Sequence, residues 1–372
     1  MRRKTRFIVS RAALGVLIGA IAAAFVPATA SSFDAETYFK GKTIRFITGS
    51  RPGGGTDILL RYVAANFSNF FPGKPRFVVS NIPPHVHGLN YTWRSKPDGL
   101  TLFMHSTAIL REQVLEQAEF KSSQFKFIGD IGDRTFVLTG FDTPYRDITE
   151  AMGKKGPPLT YLDLIPSPED MQTQAFQIML LAHWLNLPVK FGVIAERGTA
   201  IQLLEMERGN MNVTVGGAGR WFGWPKLRPG WVSQGRLKPL LDMTFFGRRM
   251  TPNAEFKGVD KVPHVYKLLN KEQREIWTAL IEATQAMNKP VVLSPKTPDE
   301  IVAVHRTALA NAMKDKKFQA SIEKVTGMPA LFVPGEEAQK EAADAERLWT
   351  RYREQETKLR TDMYNKYIRD KQ

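Results

Sequence analysis

The sequence has 372 residues, of which 43% are hydrophobic and 24% charged. This composition excludes a globally disordered chain, and the length suggests two lobes. The complete lack of cysteine excludes disulfides, thiolate metal sites and a cysteine nucleophile. The net charge of +15 favours anionic small molecules or anionic lipid head groups. The mixing of basic with acidic residues along the chain argues against nucleic-acid binding.

The first thirty residues have the pattern of a secretory signal peptide. Four basic residues within the first six positions precede an apolar run at residues 12–26, and small residues end the segment at Ala30. The run has about fifteen residues, fewer than the roughly twenty that cross a bilayer, so a signal peptide is favoured over a membrane anchor. We expect cleavage near Ala30 and a soluble periplasmic protein. Loss of the leader's five basic residues lowers the net charge from +15 to +10.

Strands and helices alternate along the rest of the chain. The predicted strands are 43–48, 77–80, 101–105, 125–128, 135–139, 159–164, 189–193, 211–215, 237–243 and 291–293, and the predicted helices are 57–70, 170–185, 199–207, 271–287 and 299–314. Such alternation predicts parallel pairing through right-handed crossovers. The loops after the strands then lie at one edge of the sheet, where ligands bind.

Two helices carry further signals. Residues 297–300 read Thr-Pro-Asp-Glu, which predicts a capping box with proline at the first helical position. Beyond Gly335 the chain is charged, and apolar residues recur at intervals of four and seven from Leu348 to Tyr367. This pattern predicts a long amphipathic helix that packs back on its own lobe, with a partner-docking helix as the alternative.

The loop between the first predicted strand and the first predicted helix looks like a carboxylate cradle. It reads Gly-Ser-Arg-Pro-Gly-Gly-Gly-Thr-Asp from Gly49 to Asp57. Successive glycines let the main chain approach a ligand closely, and the helix that follows offers unpaired N–H groups and the positive end of its dipole. Neither nucleotide motif fits, because no lysine follows the glycines and Ile58 stands where a dinucleotide fingerprint has its third glycine. The alternative is a turn that only lets the helix pack.

A second polar loop is predicted at residues 81–88, after the second strand. It contains His85 and His87, which invite a metal interpretation. A spacing of two on a loop, with no cysteine and no third ligand, argues against a metal. We therefore expect these imidazoles to form hydrogen bonds in the site or to lie exposed.

In order and spacing, these motifs resemble the receptor components of tripartite tricarboxylate transporters, also called Bug-type receptors. The segments that carry the resemblance are Tyr-Phe-Lys-Gly-Lys-Thr-Ile at 38–44, the loop at 49–57, Asn-Ile-Pro at 81–83, Pro-Asp-Gly-Leu-Thr-Leu at 97–102, Ala-Glu-Arg-Gly-Thr at 195–199 and Pro-Val-Val-Leu-Ser-Pro at 290–295. The resemblance implies an α/β, two-lobed periplasmic-binding-protein fold of the Venus-flytrap type II, with two hinge crossovers. We place lobe 1 at 31–135 and 245–335, lobe 2 at 136–244, and the C-terminal helix at 336–372, after the signal peptide at 1–30.

The resemblance also implies a function. It predicts a receptor that captures a small carboxylate between its lobes and delivers it to membrane transporter subunits, without catalysis, cofactor, metal or nucleic acid, and as a monomer. The ligand-binding residues that we expect are Ser50, Arg51, Gly53, Gly54, Gly55, Thr56, Asp57, His85, His87, Ser106 and Thr107 in lobe 1, and Ser167, Arg197, Gly198, Thr199 and Gly217 in lobe 2.

The chain departs from the family pattern in two loops. Residues 83–88 read Pro-Pro-His-Val-His-Gly where the family has Pro-Gly-Ala-Gly, so main-chain approach to a ligand should be worse there. Residues 165–169 replace a small, glycine-containing segment, and the carboxylate of Glu169 would repel an anion or bind an ammonium group. Trp221, Trp224 and Trp231 follow a predicted lobe 2 strand; we expect them to pack in the core or hinge, with an aromatic wall for a ring-bearing acid as the alternative.

Two other functions are consistent with the sequence. An exported hydrolase would use His85 or His105 as a base, together with Ser106. No Gly-x-Ser-x-Gly motif occurs in the sequence, which argues against acyl transfer. A binding protein that serves a membrane signalling partner would share the receptor fold, so the sequence does not separate it from a transport receptor.

Overall fold

The computed structural model describes residues 33–371 except 107–108, 115–116, 133–135, 154–155, 196–198, 218–227, 246–257, 286 and 327–330. All the elements below belong to one compact unit, Ala35–Gln372. The predicted signal peptide lies outside the described residues. In the part of the chain that is described, no helix combines the length and the apolar character that a membrane span requires.

The strands of the described residues form three sheets. In chain order they are β1 Thr43–Thr48, β2 Arg76–Asn81, β3 Thr101–Met104, β4 Lys126–Asp130, β5 Phe136–Phe141, β6 Leu159–Asp163, β7 Val189–Val193, β8 Val213–Gly217, β9 Leu237–Asp242, β10 Pro290–Leu293 and β11 Val333–Pro334. The first sheet has the order β11-β4-β10-β3-β1-β2, the second has the order β8-β5-β9, and β6 pairs with β7. The chain leaves the first sheet after β4 and returns to it at β10.

The helices are α1 Ala35–Phe39, α2 Gly55–Phe67, α3 His85–Arg94, α4 Thr173–Trp184, α5 Thr199–Glu207, α6 Lys271–Trp277, α7 Asp299–Lys314, α8 Lys316–Thr326 and α9 Gly335–Tyr367. Helix α6 continues through a π-helical segment, Thr278–Glu282, into a last α-helical turn, Ala283–Gln285. Short 3-10 turns lie at Ser68–Phe70, Ile109–Val114, Ser122–Gln124, Ile148–Ala151, Val259–Lys261, Val265–Lys267 and Arg369–Lys371.

The direction of the strands places several chain segments at one edge of the first sheet. Strand β1 runs parallel to both β2 and β3, so the carboxyl ends of these three strands meet. Strand β10 is antiparallel to β3 and to β4, so its first residues lie at the same edge. The prediction of parallel pairing is therefore correct for β1, β2, β3 and the β6–β7 pair. It is wrong for β10 and for the three-stranded sheet, whose strands are antiparallel.

The buried side chains of the described residues gather into distinct clusters, which gives the α/β chain its two lobes. One cluster lies on the six-stranded sheet and includes Ile47, Phe103 and Val292. A larger cluster lies on the other two sheets and includes many residues between Val137 and Leu241. Residues 259–281, which the sequence analysis placed in lobe 1, contribute Val265, Trp277 and others to this second cluster.

The C-terminal helix α9 contacts both lobes. Ala338 and Ala342 pack in the first cluster, whereas Met363 is buried in the second. The expected amphipathic helix is present, but the expectation that it packs on a single lobe is wrong. Its apolar positions continue over 33 residues, about 50 Å of helix, which is long enough to reach from one cluster to the other.

Helix α7 begins at Asp299 as predicted, but a capping box does not start it. Pro298 occupies the N-cap position, and no side chain caps the helix. The hydroxyl of Thr297 donates instead to the main-chain oxygen of Ser294, at 2.8 Å. The capping box prediction is therefore wrong, because Thr297 closes the turn that precedes the helix.

Candidate ligand-binding site

Residues that follow β1, β2 and β3 are in contact at the carboxyl edge of the first sheet. Gly49 follows β1, and a Cβ atom placed on it would lie 2.2 Å from the Cα atom of His85, which follows β2. Ser106 follows β3, and its Oγ atom lies 3.0 Å from Nε2 of His85. The topology thus brings together three segments that the sequence analysis assigned to one site. Glycine at position 49 is required because the first turn of α3 occupies the space of a side chain.

The glycine loop faces open space, as a ligand cradle requires. Gly53 has φ of +80°, and a Cβ atom on it would meet no heavy atom within 4 Å. The N–H group of Gly53 donates to Oδ2 of Asp57 at 2.8 Å, and that of Gly54 donates to the main-chain oxygen of Arg51 at 3.1 Å. These two N–H groups are therefore engaged within the loop, contrary to the expectation that they meet the ligand. The free donors of the cradle are the N–H groups of the first turn of α2, at 55–57, which have no intrahelical acceptor.

Asp57 is a structural clamp for the loop. The residue is 1% exposed, and its side chain accepts hydrogen bonds from the Asn81 amide at 2.7 Å and from Nε of Arg61 at 3.0 Å, in addition to the N–H of Gly53. Burial raises the pKa of Asp57, but the hydrogen bonds from Arg61, Asn81 and Gly53 outweigh it and hold the pKa below its usual range. The Asp57 carboxylate is thus satisfied under the loop, which leaves the main-chain N–H of Asp57 as the group of this residue that can meet a ligand.

The second predicted loop is largely helix α3, which begins at His85. Val86 and Leu89 are buried on one face of this helix, and this spacing is the helical signal that the Pro-Pro-His sequence obscured. His85 is half-buried and His87 is exposed, because residues two apart on a helix point in different directions. The two imidazoles do not converge. Among the described residues, no group of three or more His, Asp or Glu side chains could hold a metal.

His85 contacts the hydroxyl of Ser106 and is electrically neutral at pH 7. Burial, together with the positive charge of Lys289, lowers the pKa of His85 to about 4. Its ring lies 4.5 Å, centroid to centroid, from the ring of His105. His105 is fully buried, with Nε2 3.8 Å from Oε1 of Glu112. The imidazole expected to line the site is therefore present as an uncharged hydrogen-bonding group.

Lys289 is a charged residue of this edge that the sequence analysis missed. Its ammonium group donates to the main-chain oxygen of Ser106 at 3.2 Å, and to the main-chain and side-chain oxygens of Asn288 at 3.1 and 2.8 Å. Its N–H group donates to Oδ1 of Asp130, at the end of β4, at 2.7 Å. Lys289 directly precedes a motif that carried the family resemblance. Only the antiparallel direction of β10 places it beside the ends of β1 and β3.

The expected residues of lobe 2 are partly described. Ser167 follows β6, and its hydroxyl lies 3.2 Å from both a carboxylate oxygen and the N–H of Asp170. Glu169 is exposed beside it. Thr199 begins α5 and Gly217 ends β8. Thr107, Arg197 and Gly198 lie outside the described residues, as do Trp221 and Trp224. Trp231 is buried against Phe141, with ring centroids 4.4 Å apart, which confirms its expected packing role.

Comparison with known proteins supports this architecture. No protein-family model and no curated protein matches the sequence. Among solved structures, a TctC solute binding protein from Polaromonas aligns over 83% of this chain and 98% of its own, with a TM-score of 0.60 and 20% identity. MatC from Rhodopseudomonas palustris with bound malate aligns over 83% and 99%, with a TM-score of 0.51 and 13% identity. Another R. palustris protein, solved with adipate, aligns over 86% and 97%, with a TM-score of 0.55 and 16% identity.

The chain has the fold of this TctC solute binding protein. The fold that the sequence resemblance implied is thereby confirmed. The six-stranded sheet provides one half of the candidate site, with the glycine loop, His85, Ser106 and Lys289 along its edge.

Proposed function

We propose that this chain is an extracytoplasmic receptor that captures a small carboxylate between its two lobes and delivers it to a membrane transporter of the tripartite tricarboxylate type. The observation that carries the proposal is the N-terminus of α2 at the carboxyl edge of the sheet, preceded by an exposed loop at 51–53 in which Gly53 faces open space. Helix N-termini stabilise anions through unpaired N–H groups and the helix dipole.

The side chains around this helix end favour an anion over a cation. Ser106 offers a hydroxyl, Lys289 adds positive charge, and the carboxylate of Asp57 is buried beneath the loop and satisfied by its own donors. Arg51 is exposed at the rim of the loop, where a guanidinium can pair with an acid in a bidentate manner. A ligand that enters here meets donors and positive charge, which suit a carboxylate oxygen.

Two structures with this fold were solved with dicarboxylic acids, malate and adipate, and their ligands support the choice of substrate class. The leader-like first thirty residues support a periplasmic location. Closure of the two lobes around the acid would follow from contacts that only the closed state provides. The chain acts by binding, and affinity is its measurable property.

Ligand-induced stabilisation of the purified mature chain tests the proposal. We expect a mono- or dicarboxylate, for example malate or adipate, to raise the free energy of unfolding by about 2.7 kcal/mol at a hundred times its Kd. The matched controls are the corresponding amides, which keep the shape and lose the charge. Equal stabilisation by the acids and by their amides would contradict the proposal. So would the absence of stabilisation by every acid in a panel of mono-, di- and aromatic carboxylates.

One contact favours a second candidate, an exported hydrolase. The 3.0 Å contact between Ser106 and His85 is the distance at which a base activates a nucleophile. Among the described residues, however, no acceptor orients Nδ1 of His85, so the third member of a triad is missing from the described part of the site. Release of nitrophenol from p-nitrophenyl esters, abolished by Ser106→Ala, would establish the hydrolase.

A further inference from the structure

We infer that His85 is a positioning residue, whose Nε2–H group donates to Oγ of Ser106 and so leaves the Ser106 hydroxyl hydrogen available to an acceptor atom of the ligand. The inference rests on the proposed function and deepens it. It specifies that the part of the ligand next to Ser106 must be a hydrogen-bond acceptor, such as an ionised carboxylate oxygen. A ligand that offers only an N–H group there would leave the Ser106 hydroxyl hydrogen without an acceptor.

The contact itself permits two arrangements. At 3.0 Å, either the serine hydroxyl donates to an unprotonated Nε2 or a protonated Nε2 donates to the hydroxyl oxygen. A neutral imidazole carries one ring proton, so the first arrangement requires the proton on Nδ1 and the second leaves Nδ1 bare. The direction of the bond is therefore decided at Nδ1, on the other side of the ring.

The surroundings of Nδ1 disfavour a proton at that atom. Nδ1 of His85 is buried and has no hydrogen-bond partner among the described residues. It lies against Gly49, where an added Cβ atom would be only 2.6 Å from it. A buried N–H group without an acceptor loses its full hydration, at about 1–3 kcal/mol, and orphaned N–H groups are rarer in proteins than under-satisfied acceptors.

The position of His85 in helix α3 also disfavours a proton on Nδ1. His85 is the first residue of α3, where the free N–H groups of the first turn create a positive potential. A ring lone pair is stabilised there, whereas an additional N–H dipole directed into the same region is destabilised. Because Nδ1 is the ring nitrogen nearer to the main chain, it bears most of this effect. The proton consequently resides on Nε2, which faces Ser106.

This direction of the bond has two consequences for the site. The hydroxyl of Ser106 accepts from His85, and no acceptor for its own hydrogen is found in the described part of the chain, so the ligand supplies one. The same arrangement prevents His85 from removing the hydroxyl proton, because Nε2 is already protonated. The geometry therefore favours binding over the hydrolase, although the two functions share the same pair of side chains.

Long-range ¹H–¹⁵N NMR of the imidazole rings tests the tautomer directly, on the wild-type mature chain without ligand. The chain has six histidines, and the His85 signals are identified by their loss in His85→Gln. We expect the Nε2 shift of a protonated nitrogen and the Nδ1 shift of an unprotonated one. A protonated Nδ1 would overturn the inference and leave the carboxylate receptor intact.

Binding of the best acid from the panel tests the role of the bond. His85→Gln retains an N–H donor near the position of Nε2 and should keep affinity within about threefold, whereas His85→Leu and Ser106→Ala should each lose about tenfold or more. His85→Leu should cause no additional loss in the Ser106→Ala background, because it acts through Ser106. If the affinity losses of His85→Leu and Ser106→Ala instead multiply in the double variant, the positioning role is overturned. If no acid binds at all, the proposed function fails, and the tautomer experiment still reports separately on the His85–Ser106 bond.

Discussion

Gly54→Asp is the sharpest perturbation of the anion site that the structure offers. Gly54 is the N-cap of α2, with φ −70° and ψ 156°, a conformation that any L-residue adopts. A Cβ atom there would lie 3.1 Å from the main-chain oxygen of Arg51. The Arg51 main chain would therefore have to shift by only a few tenths of an ångström to accommodate a side chain. An aspartate at this N-cap would accept hydrogen bonds from the N–H groups of the first helical turn. These are the donors that we assign to the ligand.

The expected effects on stability and on binding are very different. An N-cap aspartate stabilises a helix over glycine by a few tenths of a kcal/mol, and repulsion from the Asp57 carboxylate offsets part of this gain. The free energy of unfolding should stay within about 0.5 kcal/mol of the wild type. Two carboxylates about 4 Å apart at an effective dielectric constant of about 20 repel by roughly 4 kcal/mol. Because the loop is partly exposed, we expect a smaller net penalty, about 2.7 kcal/mol, or a hundredfold loss of affinity.

Isothermal titration calorimetry with the best acid, together with urea unfolding of the free protein, measures both quantities. Gly54→Asn is the matched control, because asparagine caps a helix as well as aspartate but adds no charge, and its loss should be about tenfold. Gly54→Ala adds the Cβ atom alone and should bind nearly as the wild type does. Unchanged affinity in Gly54→Asp would show that the N-terminus of α2 does not hold the acid, and the reasoning for the whole site would fail.

Three further variants test the framework around the site. Asp57→Asn should cost about 1.5–3 kcal/mol in urea unfolding at pH 7. Because folding lowers the pKa of Asp57, this advantage of the wild type is present above the unfolded value of about 3.9 and vanishes as the pH falls through the folded one. Gly49→Ala should lower the melting temperature and acid affinity together, because the added methyl group would overlap the His85 main chain at 2.2 Å; an unchanged melting curve would contradict the close packing. Trp349→Ala on α9 should cost about 3–5 kcal/mol, since its side chain is 7% exposed, whereas the exposed control Arg351→Ala should melt like the wild type.

The elements that could be predicted from sequence are those whose signal is local. Strands β1 and β7 and helices α5 and α7 have the predicted bounds, because periodicity and flanking turn residues determine them within a few positions. Helix α3 was missed for the opposite reason. Two prolines and two histidines at its start look like a loop, and the buried spacing of Val86 and Leu89 becomes informative only once a sheet is there to pack against.

The candidate site was predictable in its location and less so in its chemistry. The rule that ligands bind at the carboxyl edge of parallel strands correctly grouped the glycine loop with His85 and Ser106. Neither the engagement of the Gly53 N–H group by Asp57 nor the arrival of Lys289 has a local signal. The first depends on Asn81 and Arg61 holding the carboxylate under the loop, and the second depends on the direction of a strand that begins almost two hundred residues later.

Helix α9 would constrain the proposed closure of the lobes on a ligand. Near its start, Gln339 accepts from the N–H of Phe127 in the first sheet at 3.0 Å. Near its end, Arg360 donates to the main-chain oxygen of Met171 at 2.9 Å and Tyr364 to that of Pro166 at 3.2 Å. Pro166 adjoins Ser167, so the loop expected to contact the ligand from lobe 2 is bonded to a helix anchored on lobe 1. A hinge motion must therefore bend α9, carry this loop with it, or break the bonds at one end. The Tyr364 bond is the exposed one and the longest of these three contacts, and its rupture would release the loop that carries Ser167 without disturbing the buried cluster around Met363.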